Sequence, residues 1–200
     1  MDREDWNARY AGSELAWTSE PNRFLVEEAA SLVPGRALDL AAGEGRNSVW
    51  LAEQGWKVDA VDFSDVGLEK GRRRADERGV SVTWIEADLV AYVPEAASYD
   101  LVILFYLQIP WASMREVVRR AARAVARGGT FLLVGHDLTN LERGHGGPKS
   151  PDVLYTPDQI GAELPGLEVT EAARRLRPVE VDEGTVNAID CLVRAVAPGP

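Results

Sequence analysis

One cysteine, two histidines and a deficit of positive charge are the first features of this 200-residue sequence, and each shortage excludes something. A lone thiol, Cys191, rules out an intramolecular disulfide and a thiolate metal cluster. Its apolar neighbours mark it as a buried structural thiol. His136-Asp137 with Glu142 and His145 fall in a Gly-rich stretch at spacings that match no metal template, so no metal is expected. The chain also lacks a long apolar run. Even Leu101 to Trp111 is shorter than the roughly 18 residues a membrane span needs, and it contains Gln108. With 22 basic against 32 acidic residues the net charge is −10. That balance repels phosphate backbones, so neither nucleic acid nor membrane is an expected partner, and a small molecule is. The one basic run, Lys70 to Arg74, reads as a solvated helix face because Glu69, Asp76 and Glu77 interrupt it. The opening Met1 to Asp5 is too acidic for a signal peptide, which makes the cytoplasm the expected location.

What is present is an apolar fraction of 46%, enough for one substantial core, and an alternation of strand and helix signals. A single domain over 1–200 is expected. Residues 1–35 hold two helical patterns, around Asp5 to Tyr10 and from Leu25 to Val33, the second closed by Pro34-Gly35. Strands follow at Ala37–Leu40, Lys57–Val61, Val82–Ile85, Asp100–Leu104 and Thr130–Val134. Helices lie between them, the last closed by Gly128-Gly129. The unbroken apolar run of the fourth strand predicts a central position. Residues 135–157 read as a long loop or lid, and a short helix is expected near Pro157. Leu167–Arg175 and Asn187–Val196, separated by a polar turn around Asp182 to Gly184, read as a strand pair at the sheet edge. The expected class is therefore α/β: a Rossmann-like, seven-stranded, mostly parallel sheet with helices on both faces and a C-terminal antiparallel strand pair. The cofactor core would span 36–134, and the C-terminal helix and strand pair 158–200. The oligomeric state is not legible.

In a parallel α/β sheet, ligands bind beyond the carboxyl ends of the strands, so the residues just after each strand carry the chemistry. After the first strand comes Asp39-Leu-Ala-Ala-Gly43-Glu-Gly45. Its glycines let the backbone approach a ligand, and the next helix points its N-terminus there. After the second comes Asp62-Phe63-Ser64, where a carboxylate can accept hydrogen bonds from both ribose hydroxyls. After the third comes Glu86-Ala87-Asp88-Leu89, which can offer a carboxylate to an exocyclic amine and an N–H to a ring nitrogen. Together the three predict an adenosine-type ligand.

Through Asp39 to Gly45, Asp62, Ala87-Asp88-Leu89 and the terminal strand pair, the sequence resembles the class I S-adenosylmethionine-dependent methyltransferases. The resemblance implies that Asp39, Ala41, Gly43 and Gly45 line the methionine end of the cofactor. It further implies that Asp62 binds the ribose, that Asp88 with Leu89 contacts adenine, that Phe63, Ser64 and Ala87 also belong to the cofactor site, and that S-adenosylhomocysteine is the product. Ala41 departs from the pattern, which usually has glycine there. A narrower resemblance, to the small bacterial tellurite-resistance and thiopurine-type methyltransferases, runs through Trp6 to Tyr10, Trp17 to Pro21 and Leu104 to Leu107. It implies that residues 1–35 fold over the cofactor with Trp17 and Tyr10, although these aromatics would equally serve to pack the N-terminal helix.

The acceptor is expected near Phe105, Tyr106, Gln108, Trp111 and His136, with His145 and Tyr155 above. Phe105, also assigned to the cofactor, and Trp111 would serve equally as core. His136 is the candidate general base, with a structural hydrogen-bonding histidine as the alternative. In-line methyl transfer to a sulfur, selenium or tellurium, nitrogen or oxygen nucleophile is the expected reaction. The alternatives are a non-catalytic S-adenosylmethionine-binding regulator and an NAD-dependent oxidoreductase, which Asp39, Ser48 and Ala87 to Leu89 oppose.

Overall fold

The first helix begins where two carboxylates cap each other. In α1 (Arg3–Tyr10), Asp2 accepts the Asp5 N–H at 2.9 Å and Asp5 accepts the Asp2 N–H at 3.0 Å. The structure is a computed structural model, and it describes residues 2–12, 14–182 and 184–199. Asn22 caps α2 (Arg23–Ala29), which stops four residues short of the expected Val33. Pro34 disfavours helical backbone at Val33, and Val33 is 85% exposed.

The strands are β1 (Arg36–Leu40), β2 (Lys57–Asp62), β3 (Val82–Glu86), β4 (Tyr99–Phe105), β5 (Val125–His136), β6 (Glu168–Val181) and β7 (Gly184–Val196). They form one seven-stranded sheet in the order β3-β2-β1-β4-β5-β7-β6. The chain divides into two compact units. One holds the residues up to Val93 with Tyr99–Ile103; the other holds Pro94–Ser98 and everything from Leu104 onward.

In the first unit β1, β2 and β3 pair in parallel, Arg36 opposite Lys57 and Val58 opposite Val82. Two helices make the crossovers, α3 (Arg46–Glu53) and α4 (Asp65–Arg78). Ser64 starts α4 by accepting the Gly67 N–H, and Gly79, at φ 66°, ends it in the left-handed conformation that glycine adopts without steric penalty. Leu38, Leu40, Val61 and Leu101 are buried, each burial contributing roughly 1.5–3 kcal/mol.

The second unit is built on α5 (Trp111–Ala124), β5 and the β6–β7 hairpin. The N–H groups of Ala97 and Ser98 satisfy the last carbonyls of α5, those of Arg123 and Ala124. With its end satisfied there, α5 needs no closure by Gly128-Gly129, which lie inside β5 instead. The hairpin is longer than the expected 167–175 and 187–196. Its pairing runs on from Arg175–Asp190 to Val181–Gly184, passing Pro178, which an edge strand tolerates. The chain reverses where the turn around Asp182 to Gly184 was expected, with Val181 paired to Gly184, and the residues between that turn and the expected strands belong to the ribbon. Glu183 of that turn lies outside the described residues.

Residues 135–157 are more ordered than the expected loop. They hold the end of β5, α6 (Asn140–Arg143), a 3-10 turn at Pro151–Val153 and a bridge between Asp137 and Tyr155. Two buried polar residues replace the missing ladder. Asp137 accepts from Thr139 and Arg174, while Asn140 accepts the Ile189 N–H at 2.7 Å and donates to the Gly146 carbonyl at 3.0 Å. A capping box of Thr156 and Gln159 starts α7 (Pro157–Gly161) where the proline predicted a helix. Cys191 is buried on β7, and burial pushes its thiol far above the ordinary range. No helix among the described residues is long and apolar enough to cross a membrane.

Candidate functional site

The loop after β1 is held by β2. The Ala41 and Ala42 N–H groups both donate to the Val61 carbonyl, at 3.0 and 3.1 Å. One oxygen of Asp62 accepts the Gly43 N–H at 2.8 Å and the other accepts the Ser64 N–H at 2.9 Å. Each oxygen thus keeps a second lone pair for a further donor. Burial raises the Asp62 pKa, and the Ser64 and Gly43 N–H groups oppose that rise. Asp39 is enclosed beneath the loop. Its Oδ2 accepts the Ser48 hydroxyl at 2.5 Å, and its Oδ1 has no hydrogen-bond partner among the described residues. Burial pushes its carboxyl up to about 7 against the pull of the Ser48 bond. An unsatisfied buried acceptor of this kind is suited to a cationic ligand group.

Ala41 stands at φ 66°, so the residue that departs from the glycine pattern sits where the backbone is left-handed. Gly43 and Gly45 share that conformation for a second reason, close approach. A Cβ at Gly43 would come within 2.9 Å of the Tyr10 hydroxyl, and one at Gly45 within 2.4 Å of the Trp84 ring.

The N-terminal segment is tied to this loop through Glu44, a buried residue that sequence reading missed. Its carboxylate accepts Lys70 Nζ and the Ala16 N–H, both at 2.9 Å. Arg74 donates to the carbonyls of Glu44 and Ser19, and Lys70 also reaches the Glu14 carbonyl. Lys70 and Arg74 are therefore not part of a solvated face. They turn inward because the loop and the N-terminal segment offer acceptors, while Arg72 and Arg73 pair with Glu69 at the surface. Tyr10 is buried, and burial and the nearby Asp62 raise its hydroxyl far above the ordinary range. Trp17 stays 44% exposed beneath the Arg9 guanidinium, 4.6 Å from its ring centroid. Phe63 is half-buried. Ala87 is bonded to the Asp62 carbonyl, the exposed Asp88 caps its own turn by accepting the Val90 N–H, and Leu89 is buried.

The expected acceptor residues fall into two groups within the second unit. Tyr106 and His136 have ring centroids 5.1 Å apart. Trp111 instead packs against Tyr155 at 5.8 Å. Tyr155 is core, with its hydroxyl bonded to the Ile109 carbonyl and N–H, so it braces the segment after β4. Phe105 is buried, Gln108 is half-buried and His145 is exposed, its N–H donated to the Asn187 carbonyl. Among the described residues no group of three or more His, Cys, Asp or Glu is placed to hold a metal ion.

Residues 37–129 match the family model described as a methyltransferase domain. That segment, 93 of the 200 residues, is similar to a methyltransferase domain. The chain is 30% identical over 125 residues to the demethylmenaquinone methyltransferase of Thermus thermophilus, covering 62% of this chain and 55% of that protein. It is 28% identical over 107 residues to a ubiquinone biosynthesis O-methyltransferase of Vibrio parahaemolyticus, covering 53% and 46%. The chain thus spans about half the length of the curated relatives it matches. Among solved structures, TehB from Haemophilus influenzae superposes with a TM-score of 0.74 at 15% identity, over 98% of this chain and 66% of that one. The N-methyltransferase NodS from Bradyrhizobium japonicum, in complex with S-adenosylhomocysteine, gives 0.72 at 16% identity, over 98% of both chains. These likenesses establish the class I methyltransferase fold for the chain.

Within the matched segment, the acidic and glycine positions were visible because they follow strands. Glu44 was not, since a single charged residue in an Ala-Gly loop carries no sign of its partner and only the fold brings Lys70 to it. Asp190 and Arg177, outside the matched segment, were missed for a similar reason: hairpin register sets their position beside His136.

Proposed function

We propose that this protein transfers a methyl group from S-adenosylmethionine to a small-molecule acceptor. The observation that carries the reading is the cradle made by Asp39, Gly43 and Asp62, in which a buried carboxylate oxygen lacks a partner among the described residues and a second carboxylate closes the glycine loop. The residues fit the group: Asp39 Oδ1 would take the cofactor's ammonium, Asp62 its ribose hydroxyls, and Ala87 to Leu89 its adenine edge. When bound, S-adenosylmethionine supplies an electrophilic methyl on a positively charged sulfur. The protein's part is to hold the acceptor in line and exclude water. The likeness to a demethylmenaquinone methyltransferase and to a ubiquinone biosynthesis O-methyltransferase supports a flat aromatic acceptor. The net charge of −10 supports a small acceptor over a nucleic acid.

Calorimetry tests the reading. S-adenosylmethionine and S-adenosylhomocysteine should both bind, and Asp62→Ala should weaken both by at least tenfold. Tight NADH binding in their place would overturn it.

A further inference from the structure

Asp190 is fully buried on β7, directly opposite His136 on β5, so the two side chains leave the same face of the sheet. Asp190 Oδ2 accepts the Tyr106 hydroxyl at 2.9 Å and Arg177 Nε at 2.7 Å. Its Oδ1 faces His136 Nδ1 at 3.5 Å, and neither of these two enclosed atoms has a hydrogen-bond partner among the described residues. The two atoms face each other, and the separation closes with a small rotation of either side chain. A neutral imidazole carries one N–H; placing it on Nδ1 satisfies Asp190 and leaves the lone pair on Nε2. Nε2 has no hydrogen bond to any described residue and is not among the enclosed atoms.

The surroundings fix the ring. Gly147 lies flat against it, close enough that a Cβ there would come within 2.9 Å of Nδ1. Tyr106 adopts φ 54°, a left-handed backbone rare for an aromatic residue, and this turns its hydroxyl to Asp190. Two charges face His136. Burial lowers its pKa most, Asp190 raises it and Arg177 lowers it, so the ring is neutral near pH 7. Arg175, on the same face of β6, is taken up by Glu171.

We infer that His136 is a general base whose tautomer and orientation are set by Asp190, with Tyr106 and Arg177 holding that carboxylate, and that the acceptor is a hydroxyl compound of the phenol or hydroquinone class. The inference rests on the methyltransferase reading above. As the acceptor oxygen bonds to the methyl carbon, the carbon–sulfur pair leaves with sulfur and cancels its positive charge. The hydroxyl proton passes to His136 Nε2, and from the imidazolium to water. A thiolate or tertiary amine has no proton to lose and would need no such pair.

The test combines nitrogen-15 NMR of the imidazole in the full chain with methyl transfer to two probes, hydroquinone and the readily ionised 4-nitrothiophenol. The NMR should show His136 as the Nδ1–H tautomer titrating below its ordinary value. Asp190→Asn should move that titration lower and Arg177→Met should move it higher. His136→Gln should lower the ratio of hydroquinone to thiol methylation by about 10²-fold or more, and Asp190→Asn by about tenfold or more. An Nε2–H tautomer, an unchanged ratio, or transfer to the thiol with none to hydroquinone would overturn the inference while leaving the cofactor reading intact. Failure of the wild-type chain to bind S-adenosylmethionine in calorimetry would overturn the cofactor reading itself, and the inference with it.

Discussion

The ring of Trp84 occupies the space a side chain on Gly45 would need: a Cβ built there would lie 2.4 Å from the indole and 3.2 Å from the Gly71 backbone. The strand β3 and the helices α3 and α4 thus meet on a glycine that also ends the loop after β1 at φ 72°. Gly45→Ala combines overpacking with a left-handed alanine and should cost about 2–4 kcal/mol in urea denaturation. Trp84→Leu in the same chain should restore part of that loss, and no restoration would mean that the backbone conformation alone is responsible.

Ala41 gives the opposite expectation. Its φ of 66° costs an L-residue roughly 1–2 kcal/mol, while glycine avoids that strain and gives back about 0.5–1 kcal/mol in unfolded-state entropy. Ala41→Gly should therefore leave stability unchanged or raise it by up to about 1 kcal/mol. A clear loss of stability in the same denaturation experiment would show that the Ala41 methyl makes a packing contact worth more than the strain.

Asp39 links stability to pH in an unusual direction. Its carboxyl sits at about 7 in the folded chain because burial penalises the charge. The unfolded value is about 3.9, so between the two the native state binds more protons than the unfolded state. Its contribution is therefore fully present below about pH 4 and is lost as pH rises toward 7. Asp39→Asn should remove that slope and stabilise the unliganded protein at pH 8 by about 1–3 kcal/mol. It should also weaken S-adenosylmethionine binding, which in the wild type should be tighter at pH 8 than at pH 6 because a cationic ligand selects the ionised carboxylate. Parallel denaturation and calorimetric series at the two pH values check both signs.

Glu44 is 4% exposed at its side chain, and Lys70 16%, so their ion pair is shielded more than a surface pair. Glu44→Ala would leave Lys70 and the Ala16 N–H without this acceptor and should cost about 1–3 kcal/mol. The effect should concentrate in the N-terminal segment, seen as faster amide exchange around Ala16 with the sheet amides unchanged. Uniform acceleration across the chain would place Glu44 in the global core instead.

The alternation of apolar strands with helices was enough to read the sheet and the order of its elements, because burial on both faces imposes a hydrophobic run whatever the neighbours are. Asp39, Gly43, Gly45 and Asp62 were legible for a related reason: a parallel sheet presents the residues that follow its strands. Element ends were less legible. The hairpin continues past Pro178 and α2 stops before Val33, each decided by local backbone sterics that composition barely records.

The sequence by itself determined the α/β class and the glycine and aspartate positions that follow the strands, since both follow from periodicity and from spacing to the nearest strand. Only the tertiary structure decided that Glu44 would meet Lys70, that Tyr155 would be core, and that Asp190 and Arg177 would stand beside His136. Glu44 and Lys70 lie 26 positions apart, Ile109 and Tyr155 46, His136 and Asp190 54, and His136 and Arg177 41, and their meeting depends on strand register and helix docking. A single buried carboxylate acquires its partner when the chain folds, and no local pattern in the sequence records which one.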